Sequence, residues 1–176
     1  GARLALYRAD EEGNFRQEDA WLAAEWTSGE DGEPHTLRRL PEGMYYLAEL
    51  EAPDYYTTFE PVPIVYQGQD RISFVRVSDR PARGRLEIRK TDAGQELLTG
   101  AVFQVSAWRK EDRTCPVYSR IVSDHGGIVR LEDLPVGEAD QAGVITPYIY
   151  TVEELVPPDG YAVSQTSWEF SFQPDR

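Results

Sequence analysis

Apolar and polar residues alternate over short stretches of this chain, and the stretches occur twice. Gly1-Ala2-Arg3-Leu4-Ala5-Leu6-Tyr7 parallels Gly100-Ala101-Val102-Phe103-Gln104-Val105-Ser106, each with apolar side chains on alternate residues as a half-buried strand requires. Thr36 to Tyr56 parallels Val129 to Tyr161: in each, a strand ends at Leu-Pro and the chain turns at Gly43 or Gly137. A Tyr-rich strand carrying a glutamate follows and stops at a proline. The second copy inserts Glu138 to Pro147 as a loop. The pattern also sets Ile72 to Arg80 beside Trp168 to Arg176 as closing strands, with Asp79 and Asp175 in register.

Helix signals are poor. Glycine and proline together number 26, and no window keeps a 3.6-residue period over three capped turns; only Glu18 to Trp26 reads as a short helix. Many short strands separated by turn signals predict an all-β chain of two tandem sandwiches, residues 1–81 and 82–176, joined by a stiff hinge at Arg80 to Gly84.

Composition narrows the function. Forty per cent hydrophobic residues can fill two cores, and a net charge of -13 argues against nucleic acid or anionic lipid as a partner. The single cysteine, Cys115, excludes an internal disulfide and reads as an inert thiol, and no Cys/His cluster suggests a metal or cofactor. No stretch approaches the roughly 18 apolar residues of a membrane span. The chain starts at Gly1 without a methionine and reads as a piece of a longer polypeptide.

The glutamate-bearing strands leading into Glu51-Ala52-Pro53-Asp54-Tyr55-Tyr56 and Val156-Pro157-Pro158-Asp159-Gly160-Tyr161, with Leu86 to Asp92 leading into Gly100-Ala101, resemble the SpaA-like or Cna protein B-type domain family. That resemblance covers nearly the whole chain. It implies Ig-like, prealbumin-like sandwiches of Gram-positive pilins and surface adhesins: extracellular, and anchored to the cell wall through other parts of the parent protein. The family's first strand, with its Lys-x-Asp signature, would lie before Gly1, so domain one is trimmed or has lost that strand, which leaves a sheet edge open to pairing.

The family often forms an intramolecular isopeptide bond, in which a first-strand lysine attacks an Asn or Asp of the last strand beside a catalytic acid. The resemblance places Lys90, Asp175 and Glu154 in those roles, with Glu49 and Asp79 as counterparts in domain one. Lys90 follows Leu86 and Ile88 at period two and so points inward with them, as Glu154 does with Tyr150 and Val152. The only asparagine, Asn14, is remote from any closing strand, which leaves Asp175 as acceptor and water as leaving group. Asp175 is in phase with Ser171 and Gln173, so it needs a bulge to face Lys90. The chain has two lysines, Lys90 and Lys110, against sixteen arginines, which stay protonated and cannot act as nucleophiles; residues 1–83 contain no lysine. The bland alternative for Lys90 is a half-buried salt bridge with Glu154.

Other candidates are weaker. Asp10 to Asn14 has some of the oxygen ligands of a calcium loop without its spacing or closing acid. His35 and His125 sit in turns with no nucleophile motif nearby. Tyr45, Tyr46, Tyr55, Tyr56, Trp21 and Trp26 could line a surface for a glycan or a host protein, as could Glu138 to Pro147 and Lys110 to Tyr118. No pocket of converging titratable groups suggests an enzyme. The sequence therefore predicts a structural stalk module whose partners are neighbouring domains of one surface protein, with a ligand-binding adhesin domain as the alternative and Lys110 as the lysine left for linkage into a polymer.

Overall fold

The computed structural model describes residues 1–29, 33–68 and 74–174. The chain forms two compact units, Gly1–Pro81 and Ala82–Arg176, each built of strands, with one 3-10 turn at Asp19–Trp21.

Unit one contains β1 (Arg3–Arg8), β2 (Leu22–Thr27), β3 (Gly43–Glu51), β4 (Tyr56–Thr57), β5 (Val62–Tyr66) and β6 (Arg80–Pro81). An antiparallel sheet runs in the order β2-β1-β3-β5, and β4 pairs with β6. Alternation along β1 and β3 gives the sheet two apolar faces. Leu4, Leu6, Tyr45 and Leu47 pack with Trp26, Phe59 and Val77 on one face, while Ala5, Tyr7 and Ala48 pack with Phe15 and Trp21 on the other.

Unit two contains β7 (Arg83–Arg89), β8 (Val102–Trp108), β9 (Tyr118–Ser123), β10 (Ile128–Pro135), β11 (Gly137–Ala139), β12 (Ile145–Pro147), β13 (Ile149–Val156) and β14 (Trp168–Phe170). A sheet in the order β14-β13-β8-β9 packs over the pair β10-β7, and inner residues of both layers, among them Phe103, Val105, Leu131, Leu134, Tyr150, Leu86 and Ile88, make one core.

The duplication extends to bonds. In each unit a glutamate faces an adjacent strand of its sheet, Glu49 opposite Leu4 of β1 and Glu154 opposite Phe103 of β8, and the ladder shifts by one residue just beyond it. Tyr45 and Tyr150, buried to within 1% of full burial, donate their hydroxyls to Pro41 O (2.7 Å) and Pro135 O (2.6 Å). Arg39 and Asp133, each just before the Leu-Pro, share a positive φ of 60° and 61°.

Three local expectations are corrected. Residues 18–26 do not form a helix: after the 3-10 turn, Leu22–Thr27 pairs with β1 and sends Ala24 and Trp26 into the core, tertiary pairing overriding alanine's propensity. The insertion at 138–147 is not a loop but the hairpin β11-β12. Over the described residues, the parallel between 72–80 and 168–176 does not hold either; residues 72–73 and 175–176 lie outside them. Val62 and Ile64 pair with Leu47 and Tyr45, as Trp168 and Phe170 pair with Val152 and Tyr150, so the counterpart of β14 is β5. Residues 74–79 follow β5 and carry no strand.

Candidate functional site

Lys90 sits just past the end of β7, where its backbone N–H donates to Gly127 O and its carbonyl accepts from Leu98 N–H, both at 2.9 Å. Held at both ends, it turns its side chain toward β13. Its Nζ lies 2.8 Å from Glu154 Oε1, with the Glu154 side chain fully buried and that of Lys90 20% exposed. Glu154 Oε2 accepts the Ser164 N–H at 2.7 Å. Glu154 Oε1 is buried and meets Lys90 Nζ as an ion pair, with no other hydrogen-bond partner among the described residues. The structure thus brings Lys90 and Glu154 together; Asp175 lies outside the described residues.

Unit one repeats the acid and changes its neighbour. Glu49 Oε2 accepts the Phe59 N–H at 3.2 Å, ten residues on as in Glu154, and its Oε1 is likewise buried. Beside it stands Asp79. Burial pushes Glu49 up to about 7, the Asp79 charge adds to the rise, and the Phe59 N–H opposes it. Burial also raises Asp79. Two carboxylates offer only acceptors to one another, so a proton held between them is what satisfies both. Glu49 and Asp79 therefore meet, in a unit without a lysine.

The anchors on the glutamates were not foreseen. Phe59 and Ser164 act through backbone N–H groups, which side-chain identity does not advertise. Gly84, expected as the end of the hinge, lies in β7 instead. A Cβ there would collide with the ring of Phe172, which packs on Tyr150 at 5.2 Å between centroids, so glycine lets the segment after β14 lie against the start of β7.

The remaining candidates have local roles. Asp10 Oδ1 accepts N–H groups of Glu12 and Asn14, its other oxygen pairs with Arg16, and no metal-holding cluster occurs among the described residues. His35 stacks on Trp26 at 4.5 Å, Tyr46 donates its hydroxyl to Gly13 O, and Cys115 is exposed. No helix among the described residues is long and apolar enough to cross a membrane.

The family profile described as SpaA, prealbumin-like fold domain, matches residues 1–79 and again 84–176. The chain belongs to this SpaA family. Solved structures similar to it include the Bacillus anthracis TIE protein, 22% identical over 99% of this chain and 28% of that one, with a TM-score of 0.48. The Streptococcal ancillary pilin is 20% identical over 99% of this chain and 54% of its own, TM-score 0.40. The shaft pilin SpaA of Lactobacillus rhamnosus GG is 17% identical over 99% and 81%, TM-score 0.38. This SpaA-family chain spans about a quarter and a half of the first two structures. No curated protein matches it.

Proposed function

We propose that the chain is a force-bearing stalk module of an extracellular surface protein or pilus, made of two Cna B-type domains at 1–81 and 82–176, and that domain two carries the amine and acid of an amide-forming site. The observation that carries this reading is the Lys90 to Glu154 contact at 2.8 Å, set on the same buried glutamate that domain one repeats without a lysine. Membership of the SpaA family supports the stalk role and an association with other domains or subunits of a surface fibre.

The chemistry needs a carboxyl carbon as acyl acceptor. Lys90 attacks it as the free amine, the carboxyl oxygen leaves as water, and Glu154 relays protons between them inside a rigid sandwich that holds the atoms in place. The acceptor in this reading is the carboxyl of Asp175. Cross-linking first to last strand would stabilise the domain by roughly 4 to 5 kcal/mol, as a long-loop disulfide does, and pulling force would bypass most of the fold.

The stalk role is tested on intact cells of the source organism with antibodies raised against residues 1–176. Labelling of unpermeabilised cells along surface structures is expected. Labelling only after permeabilisation would refute it.

A further inference from the structure

A groove of about 450 Å3 opens between β9 and β10, lined by Arg120, Ile121 and Ser123 on one side and by Ile128, Arg130 and Glu132 on the other. The two strands are consecutive, yet beyond a single bridge between His125 and Ile128 they do not pair with each other. Among the described residues β9 takes its partner from β8 and β10 from β7. Their facing edges are open for a reason internal to the fold: the turn between them carries the chain from one sheet to the other. Asp124 pins that turn, accepting the N–H groups of Ala101 at 2.6 Å and Gly127 at 3.1 Å. One end of the groove is therefore closed and held in shape.

The charge in the groove runs against that of the chain. Arg120 stands opposite Val105, a residue of the core, so it occupies an inward position on an edge strand, where an apolar residue would be ordinary. It makes no ion pair among the described residues. Across the groove, Arg130 shares the carboxylate of Glu87 with Arg89, at 2.9 and 2.6 Å, so those three side chains keep a net positive charge. Glu132, the acid of the lining, lies farther from the turn than Arg130 does. In a chain of net charge -13, two arginines facing one gap with a single shared counter-ion mark a place for an anion. Ile121, 63% exposed, offers an apolar contact on the same strand.

We propose that this groove binds an extended, acidic peptide segment of a separate protein, its backbone paired on an open strand edge and one of its carboxylates held between Arg120 and Arg130. The open edges favour a peptide over an acidic glycan, because they present N–H and C=O groups at the spacing of another strand. A second copy of this chain does not supply the segment. Its described acidic stretches lie in turns, at residues 10–12 and 111–112, or in strands already paired, at 132–133 and 153–154. The proposal is independent of the amide-forming reading and uses neither Lys90 nor Glu154.

The test pans the full chain against random heptapeptides displayed on phage, then titrates the most enriched one, as a synthetic peptide, into isotope-labelled protein followed by NMR. Enriched sequences are expected to carry an aspartate or glutamate among alternating apolar residues, with shifts confined to residues 120–123 and 128–132. Replacing the peptide acid by its amide weakens binding about 10-fold or more, and so does Arg120→Gln, whose spectrum outside the groove stays that of the parent. Lys110→Gln, outside the groove, leaves the affinity unchanged. Enriched peptides that lack an acid, or that bind Arg120→Gln equally well, would overturn the proposal, as would a library with no enrichment. Groove shifts with glucuronate and none with any peptide would assign the site to an acidic glycan and overturn it too.

Discussion

Glu49 and Glu154 hold one position in two copies of a sandwich: each accepts at Oε2 the N–H of the residue ten positions on, and each buries its other oxygen, Oε1. What differs is the group brought to the carboxyl. Domain one brings a second acid, Asp79, and domain two brings an amine, Lys90. One scaffold therefore holds two different pairs of ionisable groups, and the consequences differ by domain.

In domain one they appear as a pH dependence. Glu49, raised to about 7, and Asp79, also raised, keep protons in the folded state that the unfolded chain has released. The folded state binds more protons from about pH 4.5 to 7, so the stability of domain one falls as pH rises through that window and levels off above it. Glu49→Gln removes most of the slope. Urea midpoints read for each domain by hydrogen exchange check this; a domain-one midpoint that rises from pH 5 to 7 would contradict it.

In domain two the same position carries an ion pair. Lys90→Met leaves the fully buried Glu154 carboxylate without its cation and lowers stability by about 3 to 5 kcal/mol, whereas Lys90→Met with Glu154→Gln recovers most of the loss. Denaturant unfolding of the two variants gives the comparison. Equal losses would mean that the pair is not coupled.

Tyr45 and Tyr150 make a paired test of the duplication. Each ring is buried and each hydroxyl donates to the carbonyl of the proline that follows Leu40 or Leu134. Tyr45→Phe and Tyr150→Phe each strand a carbonyl and cost about 1 to 2 kcal/mol, each confined to its own domain. A neutral Tyr45→Phe beside a costly Tyr150→Phe would show that the two corners are not equivalent.

Gly84→Ala drives a methyl into the ring of Phe172 and loosens its packing on Tyr150. The expected cost is about 1 to 3 kcal/mol, with faster amide exchange after β14. Phe172→Ala in the Gly84→Ala background should then add less than it does alone, which a double-mutant cycle measures.

The repeat, the alternating strands and the inward Lys90 and Glu154 were legible because each is a local periodicity. Strand partners were not. Val62–Tyr66 was overlooked because Pro63 weakens its strand signal, yet β5 is an edge strand, where a missing N–H costs little. Residues 74–79 alternate well and still form no strand. That exchange is what set Asp79 beside Asp175, which lies outside the described residues. The glutamate anchors were hidden for another reason: both donors are backbone groups, placed by the path of a loop and not by a residue type.

The central claim is that Lys90 and Glu154 are the amine and the acid of an amide-forming site, and the native protein isolated from its cells tests it most directly. After proteolysis, tandem mass spectrometry should find Lys90 branched through an amide to an aspartyl or asparaginyl side chain. A linear Lys90 peptide would contradict the account.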